Sequence, residues 1–471
     1  MDKSITLPVW LIALVLLLGL LFTASVAWAV RSTLKGSDRS GLFGEAALAV
    51  ADFPGEARVV FTELREILSG RPPSPKLRVD LQAPLVDGPA EPLPGAAAAG
   101  LPGFEVLGAP AELTPGWRYF AGAFSIDDEI RNAVVIVSPE ATVAGRVVLS
   151  EGDILPGTPP SPDDEKVPHG LTVLPDASFV VAHGPGVTLQ RFSPCGDLIW
   201  AIPGLYHHAV EFDPARQTLW TLRYGSFDLG PGQPMPHGQR SRIEEISLDG
   251  DVLRDIALDD VIAANPLVDP LEIRRADGAA DSTNHPGRPG DWLADPFHFN
   301  DIEPLQPEIA AAFPDFEAGD LVLSARSLNL VMVLDPESLA IRWWRIGEVK
   351  RQHDPDWQPD GTLTVFDNRT ARAESRVVRL DPSRLGHEDV LAAGNPSFYT
   401  RFRGKHQILP NGDLIVISPG EGRVFEMRGS ERVLAEFRSR ALDRDGEGFL
   451  LTEAIWLPPE ALNREEFACD R

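Results

Sequence analysis

The chain has almost no cysteine. Two among 471 residues, Cys195 and Cys469, exclude a disulfide-built scaffold and a zinc cage made of thiolates. They read as free thiols, with a single disulfide as the alternative in an oxidising compartment. Positive charge is also short. Against 69 Asp and Glu stand 43 Lys and Arg, a net charge of −26. A phosphate backbone needs a basic footprint, so nucleic acid is excluded as a partner. The signatures GxGxxG, GxxxxGK[ST], HExxH and GxSxG are absent, which removes the common dinucleotide, P-loop, zincin and serine-hydrolase readings.

The long hydrophobic run is at the start. Residues 5–30 are nearly all apolar, interrupted by Thr6, Pro8, Thr23 and Ser25, and are long enough to span a bilayer. We expect a single-pass membrane anchor over residues 1–35. The triplet Ala27-Trp28-Ala29 keeps a cleaved signal peptide as the alternative. Lys3 precedes the span and Arg31, Lys35 and Arg39 follow it, so charge alone puts the bulk of the chain in the cytoplasm. Residues 36–103 read as a stalk. Two short amphipathic helical pieces over 41–68 are divided at Pro54, and a Pro/Ala/Gly-rich linker follows over 69–103.

From residue 104 to 471 short apolar strands alternate with turn signals. The expected fold is all-β: a β-propeller of six units, each of four strands, around a central channel. The late strand 449–457 is placed to complete a blade and close the ring. Insertions at 225–240 and 257–297 interrupt the pattern, the second with a short helical piece.

Histidines mark the units. His169, His208, His298 and His353 each stand six residues before a proline, and His406 stands four before Pro410. Both intervals are even and strand side chains alternate, so all five are expected on one face of equivalent inner strands. Asn300 follows His298 on the same face, and Arg326 projects inward from the same blade. Imidazoles, an amide and a guanidinium together suit an oxyanion. A neutral imidazole also offers a nucleophile, and several imidazoles together equally suit a metal. The carboxylates Asp354 and Asp356 are assigned to a turn, and Asn368-Arg369-Thr370 matches a glycosylation sequon.

The segments DPFHFNDI, LVLSARSLNLVMVLD, QHDPDWQPDGTLTVFDN and QILPNGDLIVISPGEGRVFEM resemble the bacterial and fungal arylsulfotransferase family, over roughly residues 169–427. The resemblance implies a propeller enzyme that uses no nucleotide sulfate donor and no cofactor. It would pass sulfate from an aryl sulfate ester to a phenolic acceptor through a sulfohistidine. By position, His353 resembles the nucleophile, His298, Asn300 and Arg326 the sulfate-binding groups, and His208 a supporting histidine. His169, His406 and His207 are assigned to substrate binding. The family's exported members imply a propeller outside the cytoplasm, in the periplasm. The other readings are a non-catalytic propeller that binds a ligand or partner at the membrane, and a metal-dependent propeller enzyme.

Overall fold

The computed structural model describes residues 77–149, 167–184, 188–224, 241–268, 271, 297–463, 467 and 469, with residues 19, 22, 23, 25 and 26 near the start. The expected anchor and the helical pieces over 41–68 otherwise lie outside the described residues. Among the described residues no helix is long and apolar enough to cross a membrane.

The described fold is all-β, with a few short helices such as Leu258–Ala264 in the second insertion. Six strands form its centre: Val167–Val173 (β1), Leu205–Asp213 (β2), Phe299–Pro304 (β3), His353–Trp357 (β4), Lys405–Ile408 (β5) and Leu451–Leu457 (β6). They adjoin one another in cyclic order, with β6 returning to β1. Each heads an antiparallel sheet that runs outward. This is a β-propeller.

The sheets are not six uniform units. Five have four strands, and the one headed by β5 has eight. The extra strands correct the linker reading. Arg78–Asp80 pairs with Glu447–Phe449, and Phe104–Gly108 pairs along Arg432–Arg440. Leu93, Ala96, Leu101 and Phe104 are buried in the same core as Phe120 and Phe437. Small residues and prolines are therefore used here for close packing, and a boundary at 104 cuts through a sheet. Ring closure follows the expectation for the late strand. β6 pairs with Trp117–Ile126, so the C-terminal end supplies the inner strand of the first blade. A buried two-pronged ion pair from Arg118 to Glu426, at 2.5 and 2.9 Å, ties that blade to its neighbour.

The turns after the inner strands follow from their residues. In three of them the Asp or Asn after the proline accepts the N–H two residues on: Asp176 from Ser178, Asp360 from Thr362, and Asn411 from Asp413, at 3.0–3.2 Å. The residue between takes a left-handed φ, which Gly361 and Gly412 adopt without strain. Gly361 also has no room for a side chain, because a Cβ there would lie 2.5 Å from the Ala312 carbonyl oxygen. Between blades the core is aromatic and aliphatic, with Trp357 packed edge-on against Phe313 and Phe316.

Five of the six inner strands carry an irregularity in register: at Pro168/Gly170, His207/Val210, Phe299/Asp301, His353/Asp356 and Leu451/Glu453. The pairing of β5 is regular. A bulge adds one residue and re-aims the side chains around it. His169, His208, Asn300, Asp354 and Thr452 sit at these irregularities, and all five line the same central cavity.

Candidate active site

The bulges build one end of the channel from histidine. His169 and His208 lie with ring centroids 4.0 Å apart. That approach depends on Gly170, where a Cβ would come within 2.4 Å of the His208 carbonyl oxygen. His208 and His298 hold left-handed φ values of 65° and 50°, conformations that cost non-glycine residues about 1–3 kcal/mol each. The rings form a hydrogen-bonded row: His207 Nδ1 to His208 Nδ1 at 2.6 Å, then His208 Nε2 to His298 Nε2 at 3.2 Å. With neutral rings His208 has one N–H, so every bond in the row points the same way along it.

His353 opens β4 and is buried. Its Nδ1 lies 2.7 Å from Asn368 Oδ1, and its Nε2 accepts the Arg403 backbone N–H at 3.2 Å. Burial first, then the Arg326 guanidinium and His298, hold its pKa well below the usual histidine range, against the opposing pull of Asn368 and Asp354. His208 is lowered by burial and by His169, His207, His298 and Arg326. His169 is lowered by burial and by Arg403 and its histidine neighbours. His353, His208 and His169 are therefore neutral at neutral pH. Arg326 begins a short 3₁₀ turn, Arg326–Leu328, and its N–H donates to the His298 carbonyl. Asn300 donates to the Gln352 carbonyl at 2.8 Å, which ties β3 to the entry of β4.

Two assigned residues stand elsewhere. His207 lies behind His208, stacked on Tyr224 with centroids 3.8 Å apart. His406 is not among the axial histidines. Its Nδ1 is 2.9 Å from Asp354 Oδ2, and its Nε2 is 2.8 Å from Thr364 Oγ1. It lines a second cavity of about 340 Å³ with Glu211, Asp301, Glu303, Asp356, Lys405 and Glu453. The reason is parity. In the other four strands a bulge lies at or just after the histidine, whereas β5 is regular, so an even spacing from proline puts His406 on the other side.

The acidic layer and Arg403 were absent from the sequence reading, which placed Asn368 only in a glycosylation sequon. Lys405 sits within 3.3–3.9 Å of Asp354, Asp301, Glu211 and Glu453. Burial opposes its charge, but these carboxylates outweigh burial and hold its pKa well above the usual lysine range. Burial pushes Asp301 and Glu453 up to about 7 and Glu303 up to about 8. Asp354 and Asp356, read as turn residues, line this layer. With His406 they bring donor atoms within 4.8 Å of one another, a spacing that suits a cation. A signal existed. Glu211, Asp301 and Asp356 each stand three residues after His208, His298 and His353.

The fold and the axial site define a class, a propeller with neutral histidines and arginine gathered on its axis. The sequence model of the arylsulfotransferase (ASST) family matches residues 173–440, more than half of the chain, and the chain belongs to that family. No curated protein matches it. Solved structures resemble it at low identity. A protein of unknown function from Bacteroides caccae is 10% identical, with 72% of this chain and 98% of that one covered at a TM-score of 0.45. A streptogramin B lyase is 9% identical, with 75% and 98% covered at 0.40. A virginiamycin B lyase from Staphylococcus aureus is 9% identical, with 72% and 90% covered at 0.36.

Proposed function

We propose that this protein transfers a sulfuryl group from an aryl sulfate ester to a phenolic acceptor through a sulfohistidine on His353. The observation that carries the reading is a buried, neutral His353 whose pKa is held down in part by the Arg326 guanidinium. A neutral ring keeps the lone pair that attacks sulfur, and a guanidinium offers a planar fork of donors to sulfate oxygens. Sulfuryl transfer, like phosphoryl transfer, depends mainly on positioning and on stabilising the equatorial oxygens.

In the first half-reaction the N–S bond to His353 forms and the S–O(aryl) bond breaks. The aryl oxygen leaves as a phenolate, stabilised by an imidazole N–H of the His208–His298 row, and takes its proton from water. In the second, the acceptor phenol gives its proton to a neutral imidazole of the row, its oxygen attacks sulfur, and the N–S bond breaks. The imidazolium then loses the proton to solvent. Since His353, His208 and His169 start neutral, donors whose phenols are acidic should react fastest.

The reading extends to location. A disulfide between Cys195 and Cys469 supports a propeller outside the cytoplasm.

Incubation with aryl sulfate esters of graded phenol acidity tests the activity. Phenol release that requires an acceptor and rises with phenol acidity is the expected result. Absence of release across a panel of donors and acceptors overturns it.

A further inference from the structure

The sequon asparagine has a different use. Asn368 is fully buried, so it is closed to a glycan. Its Nδ2 donates to the Thr400 carbonyl at 3.1 Å and to the Arg403 carbonyl at 2.7 Å. Those two acceptors fix which end of the amide is nitrogen, so the oxygen is the end that faces His353. An oxygen that can only accept requires a proton on His353 Nδ1, 2.7 Å away. At the other ring nitrogen a backbone N–H, that of Arg403, can only donate, and so requires a lone pair on Nε2. Two contacts, one at each ring nitrogen, thus select the same tautomer.

We propose that Asn368 is a positioning residue that holds His353 as the Nδ1–H tautomer and so makes Nε2 the nitrogen that takes the sulfuryl group. This rests on His353 being the nucleophile. As the Nε2–S bond forms the ring gains positive charge, Nδ1–H keeps its proton, and the Asn368 oxygen stabilises that charge. The Arg403 N–H at 3.2 Å releases the lone pair at the same moment. Asn368 touches neither donor nor acceptor. Because it bonds both Thr400 and Arg403, the same amide also places the segment that carries the Nε2 contact.

The test reads the tautomer without turnover. In the ¹⁵N spectrum of unliganded, histidine-labelled protein, the His353 signals are assigned by their loss in His353→Gln. Nδ1 protonated and Nε2 bare is the expected result, and the reverse tautomer overturns the proposal. In Asn368→Ala the Nε2–H form should gain population. Its kcat should fall on the order of a hundredfold, as when a group that orients a reacting histidine is lost, with KM little changed. An Asn368→Ala protein with wild-type tautomer and wild-type kcat overturns it as well. In Asn368→Asp a carboxylate raises the His353 pKa, so the acid limb of the rate profile should move to higher pH, and an unmoved limb counts against the role. If neither variant folds, the wild-type spectrum still decides. A correct tautomer in a protein that never becomes sulfated removes the nucleophile reading and leaves the contact standing.

Discussion

At the scale of single residues, the account separates the nucleophile from the groups that assist it. Under the proposed mechanism His298→Ala removes a donor of the His208–His298 row and Arg326→Ala a donor to the sulfuryl group, and such a donor is worth roughly a hundred- to thousandfold in rate. Residual turnover at about that level is expected in steady-state assays of both, and wild-type turnover in either would remove that residue from the site. His353→Ala should show no transfer. The pH dependence has a definite sign. His353, His208 and His169 have folded pKa values below 6.5, so below that pH the unfolded chain binds more protons and the fold loses stability as pH falls. Most of these residues were legible in the sequence, because histidine six residues before a proline is a local pattern that repeats with the blades. Asn368 was not. A sequon is defined by neighbours along the chain, whereas its contacts to Thr400 and Arg403 come from a segment more than thirty residues away.

At the scale of elements, the inner strands place two chemistries on one axis. The histidine layer favours the neutral state of its bases. The acidic layer favours the protonated state of its acids except Asp354, which Lys405 and His406 keep charged against burial. Glu303 shows the second effect. It accepts the Trp357 N–H at 2.9 Å, and burial pushes its pKa up to about 8. Its folded pKa exceeds the unfolded value, so the folded chain binds the extra proton and stability falls as pH rises from about 4.5 towards 8. Glu303→Gln keeps an acceptor oxygen and removes the ionisation. Its Tm should exceed that of the wild type by about 2 °C or more at pH 9. The two proteins should match near pH 5. Equal melting at pH 9 would contradict a raised pKa for the Glu303 carboxyl. The layers were only half visible in the sequence. Counting residues assumes regular alternation, and the bulges in β1 to β4 break it, so His406 was given the wrong side, and of the acids three residues beyond the histidines Glu211 and Asp301 were passed over and Asp356 was assigned to a turn.

At the scale of the whole molecule, closure joins distant ends of the chain. β6 completes the first blade, and the Cys195–Cys469 disulfide, with Cα atoms 5.5 Å apart at a sequence separation of 274, fastens the segment that carries Cys469 to the blade headed by β1. This corrects the reading of two free thiols. Two cysteines so far apart in sequence carry no spacing signal, and only the ring brings them together. A cross-link over so long a loop stabilises by about 5–6 kcal/mol in the chain-entropy view. Cys195→Ala with Cys469→Ala should therefore melt well below the wild type under oxidising conditions and alongside reduced wild type. An unchanged Tm would show that the bond is not formed. The ring also brings His353, His298, His208 and Arg326, from three blades and nearly 150 residues of chain, to one end of one axis. The most direct test of what they do there is the mass of the peptide carrying His353 after the protein meets an aryl sulfate with no acceptor. The account predicts the addition of one sulfuryl group on His353, lost when a phenol is supplied. A sulfuryl group on another residue, or turnover with His353 unmodified, would contradict it.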